Sequence, residues 1–121
     1  MMPKEAVMNR HILLATLSII VLAAAPAAAQ NKPQIDRGMK VYADSKCSLC
    51  HAIADLGNKK GPLDDAGSKL TADQIRQWIV TPKEMTEKAK AERKPLMRAY
   101  PNLPKDDLDA LVAYLLTLKK K

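Results

Sequence analysis

Taken as apolar and polar positions, the chain separates into an apolar opening and a longer stretch of short amphipathic segments. Residues 12–25 are apolar apart from Thr16 and Ser18, and Pro26 ends the run. Pro33 suits the first turn of a helix, where its missing N–H has no partner to lose, and a helix is predicted over about 33–46. Ile35, Met39 and Tyr42 recur at i, i+4 and i+7 as its apolar face, with Gly38 beside them. A helical glycine costs about 1 kcal/mol relative to alanine, so Gly38 is expected where another helix or a bulky group comes close. Residues 55–69, punctuated by Gly57, Gly61 and Gly67, read as loop. Thr71-Ala72-Asp73-Gln74 has the form of a capping box and opens a short helix with Ile75, Trp78 and Ile79 on one face. Thr81-Pro82-Lys83-Glu84 is a second helix start, leading into a charged stretch over 83–94 that carries Met85 and is expected to be solvated. Two prolines make 94–101 irregular. Pro104 opens a last helix with Asp106 and Asp107 in its first turn and lysines at its end, both suited to the helix dipole. Leu108, Leu111, Val112, Leu115 and Leu118 form its apolar stripe, with Tyr114 near the edge. The pattern is all-α.

The opening resembles a secretory signal peptide: Lys4 and Arg10 are basic, the apolar run follows, and Ala27-Ala28-Ala29 offers a cleavage site before Gln30. The alternative is an uncleaved anchor, but the run is shorter than the roughly 18 to 20 residues needed to span a bilayer. The expected division is therefore a signal peptide at 1–29, cleaved after Ala29 on export to the periplasm, and one domain at 30–121. About 92 residues make a small core, and chains of that size often rely on a metal or cofactor to complete it. The full chain carries a net charge of +7, which falls to about +6 once Lys4, Glu5 and Arg10 are removed. That balance favours acidic protein partners and, secondarily, an anionic membrane surface. The basic residues are dispersed and no nucleic-acid motif is present, so nucleic acid is not an expected partner.

The chemistry is concentrated in Cys47-Ser48-Leu49-Cys50-His51, which uses both cysteines of the chain. C-x-x-C-H is the attachment signature of c-type haem. Positions i, i+3 and i+4 share one face of a helical turn, so both thiols and the imidazole can converge on one flat ligand. A redox-active dithiol would be expected beside a βαβ pattern, which this chain does not suggest. A closed zinc site wants four nitrogen or sulfur ligands, and after the leader only these three residues qualify. A ligating histidine also needs an acceptor for its second ring nitrogen. The carbonyl of Pro62, in Gly61-Pro62, is the expected one.

A second axial ligand follows by elimination. His11 lies in the leader, leaving His51 as the mature chain's one histidine. The candidates are methionine, lysine or an open position. Met97 sits in the proline-flanked segment near Leu96 and Tyr100 and is favoured over Met85 in its charged helix. His/Met ligation raises the potential relative to bis-histidine and leaves no position open to substrate. Outer-sphere one-electron transfer is then the expected activity, with no catalytic residues. A buried Trp78 needs a partner for its indole N–H, and a haem propionate would serve.

Together these residues resemble the small class I cytochromes c of bacteria, over essentially the whole of 30–121. Cys47, Cys50 and His51 match the haem motif, and Gly61-Pro62 the element that buttresses the histidine. Trp78 matches a tryptophan found near a propionate, and Met97 followed by Tyr100-Pro101 the methionine loop. Tyr114-Leu115 matches the last helix, whose aromatic residue packs on the first helix at a glycine, here Gly38. Arg98 departs from the family, where many members have proline after the ligand methionine. The resemblance implies one covalently held haem c between N- and C-terminal helices and short middle helices. It also implies a monomeric periplasmic carrier shuttling between donor and acceptor redox proteins with acidic docking surfaces, met by some of Lys59, Lys60, Lys94 and Arg98. A haem subunit of a periplasmic dehydrogenase or reductase complex, and a sensing cytochrome with an open sixth position, are the alternatives.

Overall fold

Helix α1 spans Lys32–Asp44, with Pro33 in its first turn. The computed structural model describes residues 31–120, so the expected leader and its cleavage site lie outside the described residues. α1 buries Gly38 and Val41, whereas Met39, expected on the apolar face, is 50% exposed. The buried face is rotated because Gly38 must meet the last helix. A Cβ there would lie 2.1 Å from Ala110 O and 2.6 Å from Tyr114 Cβ. Only a residue without a side chain permits that approach.

Lys46, at φ 57°, turns the chain out of α1 into a 3-10 turn at Cys47–Leu49. A small antiparallel hairpin follows, β1 (Ala52–Ile53) with β2 (Leu56–Gly57). The segment expected to be all loop also holds a four-residue helix, α2 (Ala66–Lys69). Helix α3 (Ala72–Val80) starts at the expected capping box: Gln74 N–H donates to Thr71 Oγ1 and Thr71 N–H to Gln74 Oε1. Helix α4 (Pro82–Ala89) has its expected N-terminal proline. Its Thr81 does not cap it, because that hydroxyl donates back to Gln77 O at 3.1 Å and serves the end of α3. Met85 is buried at 7% exposure, so the charged helix is not wet throughout. A segment without regular structure leads to α5 (Lys105–Leu116).

α1 packs against α5, and so does α3. Val41, Ile75, Ile79, Leu111, Val112 and Leu115 form the shared core. Arg37–Asp107 ties α1 to α5 and Arg76–Asp109 ties α3 to α5, each at 2.7 Å. Tyr42 and Tyr114 meet edge to face, with ring centroids 6.1 Å apart, an arrangement the ring quadrupoles favour. Among the described residues no helix is long and apolar enough to cross a membrane, and no large side chain is completely buried. The core opens instead onto a cavity.

Candidate haem-binding site

The cavity has a volume of about 330 Å³ and is walled mainly by apolar side chains. Ile75, Trp78 and Ile79 of α3 and Leu111 and Leu115 of α5 form its interior side. Close packing is the rule in protein interiors, and an apolar hollow of this size leaves its lining without partner atoms. A large flat apolar group fits those walls.

The attachment motif forms one wall. His51 N–H donates to Cys47 O at 2.9 Å and Cys50 N–H to the same oxygen at 3.1 Å. This single turn brings Cys47, Cys50 and His51 to the cavity, as their spacing predicted. Both thiols are free. Burial pushes the Cys47 thiol up to about 11, so it is held as a thiol. A nucleophilic cysteine shows the opposite shift. Among the described residues, no group of three or more His, Cys, Asp or Glu side chains is placed to hold a metal ion.

Gly57, legible in the sequence only as loop punctuation, and Asn58, which was not singled out, fix this wall. Gly57 has φ +106°, and a Cβ on it would fall 2.2 Å from His51 O, so glycine is required. Asn58 N–H bonds both Ser48 O and His51 O, and Asn58 Nδ2 donates to Leu49 O at 3.2 Å. The Gly-Asn pair was visible as a turn signal, but nothing in it told which backbone it would clasp.

His51 Nδ1 lies 3.1 Å from Gly61 O. A carbonyl can only accept, so Nδ1 carries the proton and Nε2 keeps its lone pair. This corrects the expectation that Pro62 supplies the acceptor. Ala52 and Pro62 form a parallel bridge in which Ala52 N–H donates to Gly61 O at 3.0 Å and Leu63 N–H to Ala52 O at 2.8 Å. Successive carbonyls of an extended chain point opposite ways, so it is the one before Pro62 that faces His51. Burial lowers the His51 pKa; the Gly61 bond opposes this and the nearby Arg93 charge adds to it. The imidazole is held neutral, the form that ligates a metal.

Met97 and Tyr100 line the cavity from the segment between α4 and α5. Met97 is half-buried, while Met85 lies in the core outside the lining. Met85 is thus set aside by position and not, as expected, by exposure to water. Trp78 is half-buried in the lining. Of the cations expected near the opening, Arg98 lines the cavity and Lys59, Lys60 and Lys94 do not. Lys46 and Arg93, which were not singled out, do.

The sequence matches the family described as "Cytochrome c" over residues 35–119. It is also 29% identical over 93 residues to "Cytochrome c oxidase subunit 2" of Alkalihalophilus pseudofirmus, a match covering 69% of this chain and 25% of that protein. The chain thus corresponds to about a quarter of that relative's length. No solved structure matches it. The helical fold, the cavity and the family match agree, and the chain belongs to the cytochrome c family as a class I c-type cytochrome, a domain for covalently bound haem c and haem-based electron transfer.

Proposed function

We propose that the chain is a soluble periplasmic one-electron carrier holding a single haem c, attached through Cys47 and Cys50 and ligated by His51 and Met97. The convergence of these four side chains on one apolar cavity carries the reading. Bound there, the haem supplies a one-electron ferric/ferrous couple. His51 offers Nε2 because Nδ1–H is engaged by Gly61 O, which also strengthens the nitrogen as a ligand. Met97 offers a neutral thioether, which favours the ferrous state. Trp78, in the cavity lining, would offer its indole N–H to a propionate. With His51 and Met97 both ligating, no position would be open to a substrate, so the protein would carry electrons and not catalyse. Lys46, Arg93 and Arg98 at the cavity favour acidic partners and fast, salt-sensitive encounters. The apolar run and cleavage site within 1–29 support export, and a monomer is the expected state.

The similarity to an oxidase subunit favours a second reading, in which the chain is the haem subunit of a larger redox-enzyme complex. A stable high-mass assembly on native purification would support it. The first reading is tested by exposing the reduced, haem-loaded protein to carbon monoxide at neutral pH. An unchanged spectrum is expected, and a carbon monoxide adduct contradicts a closed His/Met site.

A further inference from the structure

We propose that Arg93 is a positioning residue that latches the Met97 segment to the attachment wall and so protects the sixth ligand from displacement. The inference rests on the ligation proposed above. Ala91 N–H bonds Thr86 O at 3.0 Å and Tyr100 N–H bonds Ile79 O at 2.8 Å. Between these ties the chain has no regular structure. Among the described residues, Arg93 makes the one hydrogen bond that joins 92–99 to the rest of the protein. Its Nη2 donates to Cys50 O at 2.6 Å, across 43 positions of sequence. Cys50 immediately precedes His51, and Met97 lies four residues beyond Arg93. One guanidinium therefore joins the two segments that carry the axial ligands.

The surroundings are shaped for it. A Cβ on Gly61 would fall 2.2 Å from Arg93 Nη1 and 2.9 Å from Cζ, so the glycine leaves room for the planar group. Gly61 is also the residue whose carbonyl holds His51. Among the described residues no carboxylate pairs with Arg93, and the Cys50 carbonyl is its one hydrogen-bond acceptor. The bond is charge-assisted and lies exposed to solvent. Lysine could make the bond but lacks the flat fork that lies over Gly61.

The test compares wild-type, Arg93→Gln and Arg93→Lys in the haem-loaded protein by amide hydrogen exchange over 92–99 and by imidazole binding to the ferric form. Arg93→Gln should speed exchange in that segment about tenfold and tighten imidazole binding about tenfold, a change of ~1.4 kcal/mol. That is close to what a hydrogen bond to a charged group contributes. Arg93→Lys should fall between, and neither variant should lose attached haem. Exchange and imidazole binding in Arg93→Gln equal to wild-type would overturn the latch. If wild-type itself binds imidazole tightly, the Met97 ligation fails, and the exchange comparison still decides whether Arg93 holds the segment.

Discussion

The two walls of the haem cavity are built differently. The attachment wall, 46–62, is clasped throughout: Cys47 O, Ser48 O, Leu49 O, His51 O and Gly61 O all accept hydrogen bonds, and Gly57 and Asn58 close over the turn. The facing wall, 90–104, which carries Met97, spans a comparable length with few ties, chiefly Arg93 to Cys50 O, Tyr100 N–H to Ile79 O, and Tyr100 OH to Ser45 O at 3.2 Å. Local stability follows such contacts. The first wall is suited to hold a covalent link and a fixed imidazole. The second is where a ligand could exchange without unfolding the domain.

The largest test of this contrast is His51→Ala. It removes the ligand of the rigid wall and should abolish the low-spin spectrum of the haem-loaded protein, whatever the other wall does. Gly57→Ala forces a side chain into a positive-φ position against His51 O. It should cost about 2–3 kcal/mol in denaturant unfolding of the haem-loaded protein. Tyr100→Phe removes one tie of the looser wall. A loss of only about 1 kcal/mol is expected, with faster amide exchange over 92–99 and none over 47–58.

Asp109 lies on the helical frame, outside both walls. The hydrogen bond from Lys105, then that from Arg76, holds its carboxyl below the ordinary value of 3.8. A lowered folded-state pKa adds stability above the unfolded value, and that stability is lost as pH falls through the folded one. Asp109→Asn should therefore flatten the acid limb of a stability-against-pH curve and leave the haem spectrum unchanged.

Much of this was legible in the sequence because it is local. The C-x-x-C-H turn, the Thr71 capping box and the apolar stripe of α5 from Leu108 to Leu115 each follow from residues a few positions apart, whereas Leu118 and the terminal lysines, expected in the same helix, lie beyond its end at Leu116. Gly38 was legible as a close approach, and the last helix proved to be what comes close. What the sequence hid is long-range. The burial of Val41 in place of Met39 depends on where α5 lies, and the Gly61 acceptor depends on a bridge between Ala52 and Pro62. Arg93 reads as one more cation in a charged stretch until the fold brings it to Cys50.

The most direct measurement is the visible spectrum of the haem-matured protein, wild-type against Met97→Ala, at the weak far-red sulfur-to-iron charge-transfer band of the ferric form. The account predicts the band in wild-type and its loss in Met97→Ala, with haem still attached. A high-spin ferric spectrum without the band in wild-type, or a band that survives in Met97→Ala, would contradict it.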